Sequence, residues 1–313
     1  MMSAGMGFKA GFVALLGRPN TGKSTLVNRL VGQKVAIVSP RPQTTRNRIQ
    51  GIVNRPGAQV ILIDTPGLHR PTSVLGRQMM EEVEMALDGI DLLAVLLDAS
   101  EPLTTEDRAA LDRAHRFHRQ CLVLPNKIDL IAKPKLLPLI DTLAREYGFA
   151  EIIPISALTG DGLPRLVEQV IAHLPEGQPY FPDDLFTDQP ERFLAGELLR
   201  EKVLTFTRQE VPHAVAVLVD SFEEGPRLVR IRATIYVERE GQKGIIIGRG
   251  GDMLKRIGAA ARKEMEDLLG VKVFLETYVK VQRNWRQRPA LVRQLDWRRQ
   301  LTQLAGSSSG PKP

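Results

Sequence analysis

Cysteine occurs once in 313 residues, at Cys121, so no internal disulfide framework is available. Its setting in the apolar run Cys121-Leu122-Val123-Leu124 reads as a buried, inert thiol, not a nucleophile. Aromatic residues make up 5% of the chain, and no apolar stretch approaches the roughly 20 residues that span a bilayer. Near the N-terminus only Lys9 precedes a short apolar run, which reads as a core strand without a signal-peptide pattern. His115 and His118 lie three apart on a helical pattern, but no third ligand is spaced to join them, so they read as a solvated helix face. No serine-nucleophile elbow is present. What remains is a chain long enough for two domains, 43% hydrophobic and therefore able to bury a sizeable core. Its net charge of +7 favours a polyanionic partner, either nucleic acid or an anionic membrane surface.

The most informative stretch is Gly17-Arg18-Pro19-Asn20-Thr21-Gly22-Lys23-Ser24, preceded by Phe12-Val13-Ala14-Leu15-Leu16 and followed by Thr25-Leu26-Val27-Asn28-Arg29-Leu30. A strand, a glycine turn and a helix in that order make a phosphate-binding P-loop. The glycines let backbone N–H groups wrap a diphosphate, and the helix N-terminus adds a favourable dipole. Lys23 then reaches the β/γ-phosphates, and Ser24 can hold Mg²⁺.

Downstream, Lys34 to Asn47 is polar and basic and is expected as a mobile loop over the phosphate site. Ile49 to Asn54 and Gln59 to Ile63 read as strands joined at Arg55-Pro56-Gly57-Ala58. Further strands are expected at Leu92–Leu97, Cys121–Leu124 and Ile152–Ile155, separated by helices over Thr105–His118, Pro134–Tyr147 and Pro164–Leu174. That alternation predicts an α/β domain with a mostly parallel sheet and helices on both faces. Ligands of such sheets sit at the carboxyl ends of the strands. Asp64-Thr65-Pro66-Gly67 stands at one end, where the carboxylate can reach Mg²⁺ through water and the Gly67 N–H can meet a γ-phosphate. Asn126-Lys127-Ile128-Asp129 stands at another. Its carboxylate can accept from guanine N1–H and the 2-amino group, whereas adenine would leave that charge unpaired. Ser156-Ala157-Leu158 follows the last run, where a backbone N–H can donate to guanine O6.

These segments together resemble the translation-factor-like GTPases. The resemblance implies GTP and GDP as ligands, held by Gly17, Asn20, Thr21, Gly22, Lys23, Ser24, Thr25, Asp64, Gly67, Asn126, Lys127, Asp129 and Ser156-Ala157-Leu158. It also implies an Mg²⁺ shell from Ser24, Asp64 and either Thr44 or Thr45, and a catalytic role for Lys23, Thr45, Gly67 and Asn20. Asn20 matches the asparagine that helps bind K⁺ in several bacterial GTPases. One departure stands out. Where many small GTPases carry a water-orienting glutamine, this chain has Leu68, followed by His69.

After Pro175, a proline-rich acidic stretch reads as a linker. Next come a helix over Glu191–Gln209, strands over Ala214–Phe222 and Leu228–Val237, the segment Gly244-Ile245-Ile246-Ile247-Gly248-Arg249-Gly250-Gly251, a helix over Asp252–Leu269, and a strand over Val271–Val281. Gly248 to Gly251, followed by Met253-Leu254-Lys255-Arg256, resembles the loop of a KH domain, of the type (type II) found in ribosomal proteins. Composition alone would make Ile245–Ile247 a strand, whereas the resemblance implies a short helix. RNA contact is then expected at Gly248, Arg249, Gly250, Gly251, Lys255 and Arg256. Beyond the last strand, arginines interleave with Trp285 and Trp297, a pattern suited to phosphate contact and base stacking, and Arg283, Trp285 and Arg286 join the expected RNA contacts.

The expected layout is therefore a GTPase domain over residues 8–175, a linker over 176–190, a smaller α+β KH domain over 191–285, and a basic tail over 286–313 whose end is disordered. This combination resembles the Era family of bacterial GTPases. The resemblance implies a monomeric cytoplasmic GTPase that binds single-stranded 16S rRNA near its 3′ end and acts in 30S subunit assembly, with peripheral contact to the inner membrane face. Two other readings are weaker. A tRNA-modifying GTPase would carry an additional catalytic module that this chain lacks, and an RNA scaffold with a dead nucleotide pocket would show a broken motif.

Overall fold

The computed structural model describes residues 7–41, 43–117, 120–207, 211, 215–296 and 298. His118, Trp297 and the end of the expected tail lie outside them. The chain divides into two compact units, one formed by residues up to 70 with 79–188, the other by 71–78 with those from 189 onward.

In the first unit, β1 (Lys9–Leu16), β2 (Ile49–Arg55), β3 (Ala58–Asp64), β4 (Leu92–Asp98) and β5 (Cys121–Asn126) form one sheet in the order β2-β3-β1-β4-β5. All neighbours are parallel except the β2–β3 hairpin. The uninterrupted apolar run of β4 follows from burial on both sides. Leu92, Ala94 and Leu96 enter the core beneath α1 (Lys23–Val31) and α5 (Leu163–His173). Leu93, Val95 and Leu97 enter the other core, beneath α2 (Val74–Ala86), α3 (Thr105–His115) and α4 (Leu136–Arg145). The helix α2 is absent from the sequence-based expectations, although Ser73 Oγ caps it by accepting from Gly76 N at 2.9 Å, and Leu75, Met79 and Val83 recur at helical spacing and are buried.

The strand expected at Ile152–Ile155 is reduced to a single bridge, Val123 to Ile152. Val123 N donates to Glu151 O, Ile153 N to Val123 O and Ile155 N to Pro125 O. The next rung of a parallel ladder would need an N–H at position 125, and proline has none. The segment therefore runs beside β5 without becoming a full strand.

The expected linker is hydrogen-bonded to the first unit as far as Thr187. Gln59, wholly buried, accepts from Tyr180 N and Phe181 N and donates to Phe181 O. Ile52 N donates to Phe186 O, and Thr187 Oγ1 donates to Gln50 O at 2.7 Å. These bonds cover the otherwise open edge of β2.

In the second unit, α6 (Glu191–Phe206) and the hairpin β6 (Ala216–Glu223) and β7 (Leu228–Val237) precede α7 (Glu240–Ile247), α8 (Asp252–Leu269) and β8 (Lys272–Val281). The sheet order is β6-β7-β8, with β7 and β8 parallel over ten pairs. Ile245–Ile247 are helical, as the KH resemblance implies. Gln242 Oε1 accepts from Glu238 N and Arg239 N and so fastens the start of α7. Part of the expected tail is folded, since α9 (Pro289–Gln294) buries Val292. No described helix is long and apolar enough to cross a membrane.

Candidate nucleotide site and RNA groove

The P-loop turns from the end of β1 into α1, and a 440 Å³ cleft opens above it. Its walls are P-loop residues, the loop segments Ile37–Pro40 and Gln43–Thr45, Gly67, Asp98, Glu101 and Lys127. Gly22 sits at φ +96°, and a Cβ there would lie 2.3 Å from Asn126 Nδ2. Asn126 explains that crowding. It donates from Nδ2 to Thr21 O at 2.7 Å and accepts at Oδ1 from Ala157 N at 2.9 Å, so one amide ties the P-loop to the Ser156-Ala157-Leu158 segment.

Lys23 is buried and donates to Gly17 O and Arg18 O at 2.9 and 3.0 Å, folded across its own loop. Burial, with Arg18 nearby, lowers its pKa to about 8, although Asp64 acts in the opposite sense. The Asp64 carboxyl is pushed up by burial, against the pull of Lys23, Ser24 and Thr45. Asp64 Oδ2 accepts from Ser24 Oγ at 2.6 Å and from Thr45 Oγ1 at 3.3 Å, and the two hydroxyls are 2.9 Å apart. Asp64 Oδ1 is buried with no hydrogen-bond partner. Three converging oxygen side chains and an unpartnered buried carboxylate oxygen suit a small hard cation such as Mg²⁺. Thr45 belongs to this cluster. The Thr44 hydroxyl instead donates to Arg41 O at 2.6 Å.

The loop expected to be mobile is anchored at both ends. Asn28 Oδ1 accepts from Val35 N and Ala36 N, while Thr44, Thr45, Arg46 and Asn47 are buried. Asn20, at φ 66°, donates its amide to Pro40 O at 2.9 Å from the exposed rim. Thr21 Oγ1 donates to Arg18 O, and Thr25 lines the cleft. Gly67 presses on the P-loop so closely that a Cβ would stand 2.5 Å from Pro19 N. Leu68 donates its N–H to Gly17 O and buries its side chain in the core beneath α2 and α3. It is not part of the cleft wall.

Asp129 and Ser156–Leu158 are not part of the cleft wall. Ser156 Oγ donates to Asp129 Oδ1 at 2.5 Å and accepts from Thr159 N, which aims an exposed carboxylate. Sequence reasoning missed Asp98. Burial alone would raise its pKa, but hydrogen bonds from Lys127 and Ser100 hold it below the usual range. Asp98 accepts from Lys127 Nζ at 2.5 Å, while Arg18 pairs with Glu101 and Asp107. Cys121 is buried, which pushes its thiol up to about 12 and fits the inert reading.

In the second unit a groove of about 420 Å³ is lined by Gly251, Leu254, Lys255, Gly258, Ala259 and Arg262 of the loop and α8, with Leu275 and Thr277 of β8. Gly258 and Ala259 leave room, and Arg262 follows Leu254 and Gly258 along one helix face, a periodicity the sequence carried. Gly248 at φ +71° and Gly250 at φ +61° make the loop possible, and a Cβ on Gly248 would meet Met253 Cβ at 2.6 Å. Arg249 is exposed at its tip.

One expected RNA contact is corrected. Trp285 is wholly buried, so its indole serves packing and offers no stacking face. Arg286, half-buried, makes a two-pronged pair with Glu238, at 3.2 and 2.8 Å. Arg256 stacks its guanidinium 5.2 Å from the Phe206 ring centre and does not line the groove. Arg283 is exposed.

The lowered pKa of Lys23 makes GDP affinity depend on pH. Lys23 loses its proton above about pH 8, so a diphosphate that pairs with its cationic form would take up a proton on binding there. Calorimetric titrations should show affinity falling above pH 8, by up to about tenfold per unit, with Lys23→Ala weak and without this slope. Wild-type affinity unchanged up to about pH 9.5 would contradict the buried-lysine geometry.

Residues 12–127 match the family model described as 50S ribosome-binding GTPase, and residues 210–286 match the KH domain. The chain is 48% identical over 291 residues to GTPase Era of Geotalea uraniireducens (strain Rf4), covering 93% of this chain and 98% of that one. It is 50% identical over 292 residues to GTPase Era of Geobacter metallireducens (strain ATCC 53774 / DSM 7210 / GS-15), with the same coverages. A crystal structure of Era with MgGDPNP and nucleotides 1506–1542 of 16S ribosomal RNA superposes with a TM-score of 0.90 at 43% identity, over 93% of this chain and 99% of that one. A single-residue variant of Aquifex aeolicus Era bound to GDP and AlF4⁻ gives 0.89 at 43% identity, over 92% and 99%. With both modules in the same order and about half of all residues shared across nearly the whole length, this chain belongs to the Era family of GTPases.

Proposed function

We propose that the chain couples GTP hydrolysis to holding a single-stranded segment at the 3′ end of 16S rRNA during assembly of the 30S subunit. The observation that carries this reading is the glycine-loop groove of the second unit, in a chain 43% identical to a relative solved with MgGDPNP and 16S RNA. The family model naming the 50S subunit covers only the GTPase domain, so it speaks to the nucleotide chemistry.

In this reading Lys23 leaves the carbonyls of Gly17 and Arg18 to meet the β/γ-phosphates, and the Gly67 N–H faces the γ-phosphate. Ser24, Thr45 and Asp64 would hold Mg²⁺, which would supply positive charge to offset that of the phosphate oxygens. Asp129, aimed by Ser156, reads guanine. With Leu68 buried, the position after Gly67 offers no side chain to orient the water, so intrinsic hydrolysis is slow. Asn20 would offer its amide oxygen to a K⁺, whose positive charge would compensate. Turnover should be faster in K⁺ than in Na⁺, and Asn20→Ala should erase the difference. Equal wild-type rates in the two salts would end the K⁺ proposal and leave the GTPase assignment intact.

The RNA half is tested by filter binding of a 3′-terminal 16S oligonucleotide against a scrambled one. Arg249→Asp with Gly250→Asp places negative charge and a strained side chain where the RNA backbone passes, and should weaken binding about tenfold or more with GTP affinity unchanged. If the double variant binds like wild type, the glycine loop is an ordinary turn.

A further inference from the structure

The groove uses one side of β8. That strand is an edge of its sheet, and its other side carries exposed residues that the groove does not use. Val273, Leu275, Val279 and Val281 turn toward the core, while Phe274 and Tyr278 point outward and are 47% and 48% exposed. Being four residues apart on one strand face, they stand about 13 Å from each other. Opposite them on β7, in register, Arg230 pairs with Phe274 and Arg232 with Glu276. The Arg230 guanidinium lies 5.6 Å from the Phe274 ring centre, and Arg232 reaches Glu276 at 3.6 Å. Glu276 offsets Arg232, and Glu223 of β6 stands in register with Arg230, while Lys272 and Lys280 at the two ends of β8 leave the face with an excess of positive charge beside two aromatic rings.

Rings interleaved with cations suit bases and phosphates better than an apolar protein surface. A glycine-loop groove clamps about four nucleotides. The RNA in the solved relative's complex, nucleotides 1506–1542, is several times longer. We propose that this outer face of β7 and β8 is a second RNA-binding surface, on which single-stranded RNA leaving the groove crosses the free edge of β8 and stacks bases on Phe274 and Tyr278. The inference rests on the RNA reading above and extends it.

The test compares the full-length protein binding a five-nucleotide strand, which fills the groove alone, with a twelve-nucleotide strand extended from the same 3′-terminal 16S segment. Wild type should bind the longer strand more tightly. Phe274→Ala and Tyr278→Ala should each lose roughly fivefold or more on the long strand with short-strand affinity unchanged, while Phe274→Tyr and Tyr278→Phe keep the gain. Both side chains are exposed, so these variants leave the core intact. A length-dependent gain that survives in both alanine variants, or is missing in wild type, overturns the proposal and leaves the face to a protein partner. Failure of the groove reading shows differently, as short-strand binding insensitive to Gly250→Asp, and would remove this proposal with it.

Discussion

A carboxylate at the end of a fully buried strand is the constraint around which the first unit is arranged. Every residue of β3 is buried, and Asp64 closes it. A charge there is costly unless it is paired and hydrogen-bonded. The pairing comes from three directions, since Ser24 opens α1, Thr45 belongs to the preceding loop and Lys23 lies close enough to act on it. One oxygen nevertheless keeps no partner. The fold therefore stores a demand for a cation at the point where P-loop, loop and sheet converge, and the loop that brings Thr45 is fastened by Asn28 rather than left loose.

The Asn126 amide performs the analogous task for the base side. By joining Thr21 O to Ala157 N it ties the P-loop to the last loop, where Ser156 in turn aims the Asp129 carboxylate. Lys127 is drawn to Asp98, while Arg18 is held by Glu101 and Asp107 at the start of α3. Each strand end thus contributes both a ligand-facing group and the group that holds its neighbour, so the site is stiff without being closed.

Much of this was legible in residue order. A P-loop and the Asp64 and Asn126 motifs occupy obligatory positions at strand ends, so they announce both sheet and ligand, and Leu68 announces its own inability to orient water. The choice of Thr45 over Thr44 was not legible, because adjacent hydroxyls differ only in the direction of a loop whose course depends on Arg41 and Asn28. Pro125 did carry the warning that the last strand would stop, and Ser73 with Leu75, Met79 and Val83 carried the helix that went unread. The misreading in the second unit is Trp285, since a tryptophan among arginines looks like a stacking platform until the core that buries it is known.

The central claim is that the chain is a guanine-selective GTPase whose base reader is Asp129. Replacing that carboxylate by an amide, Asp129→Asn, removes the acceptor for the guanine 2-amino group and supplies a donor to the 2-carbonyl of xanthine. Competition between GTP and XTP for binding and turnover tests the claim most directly. The account predicts that wild type prefers GTP and the variant prefers XTP; a variant that still prefers GTP would contradict it.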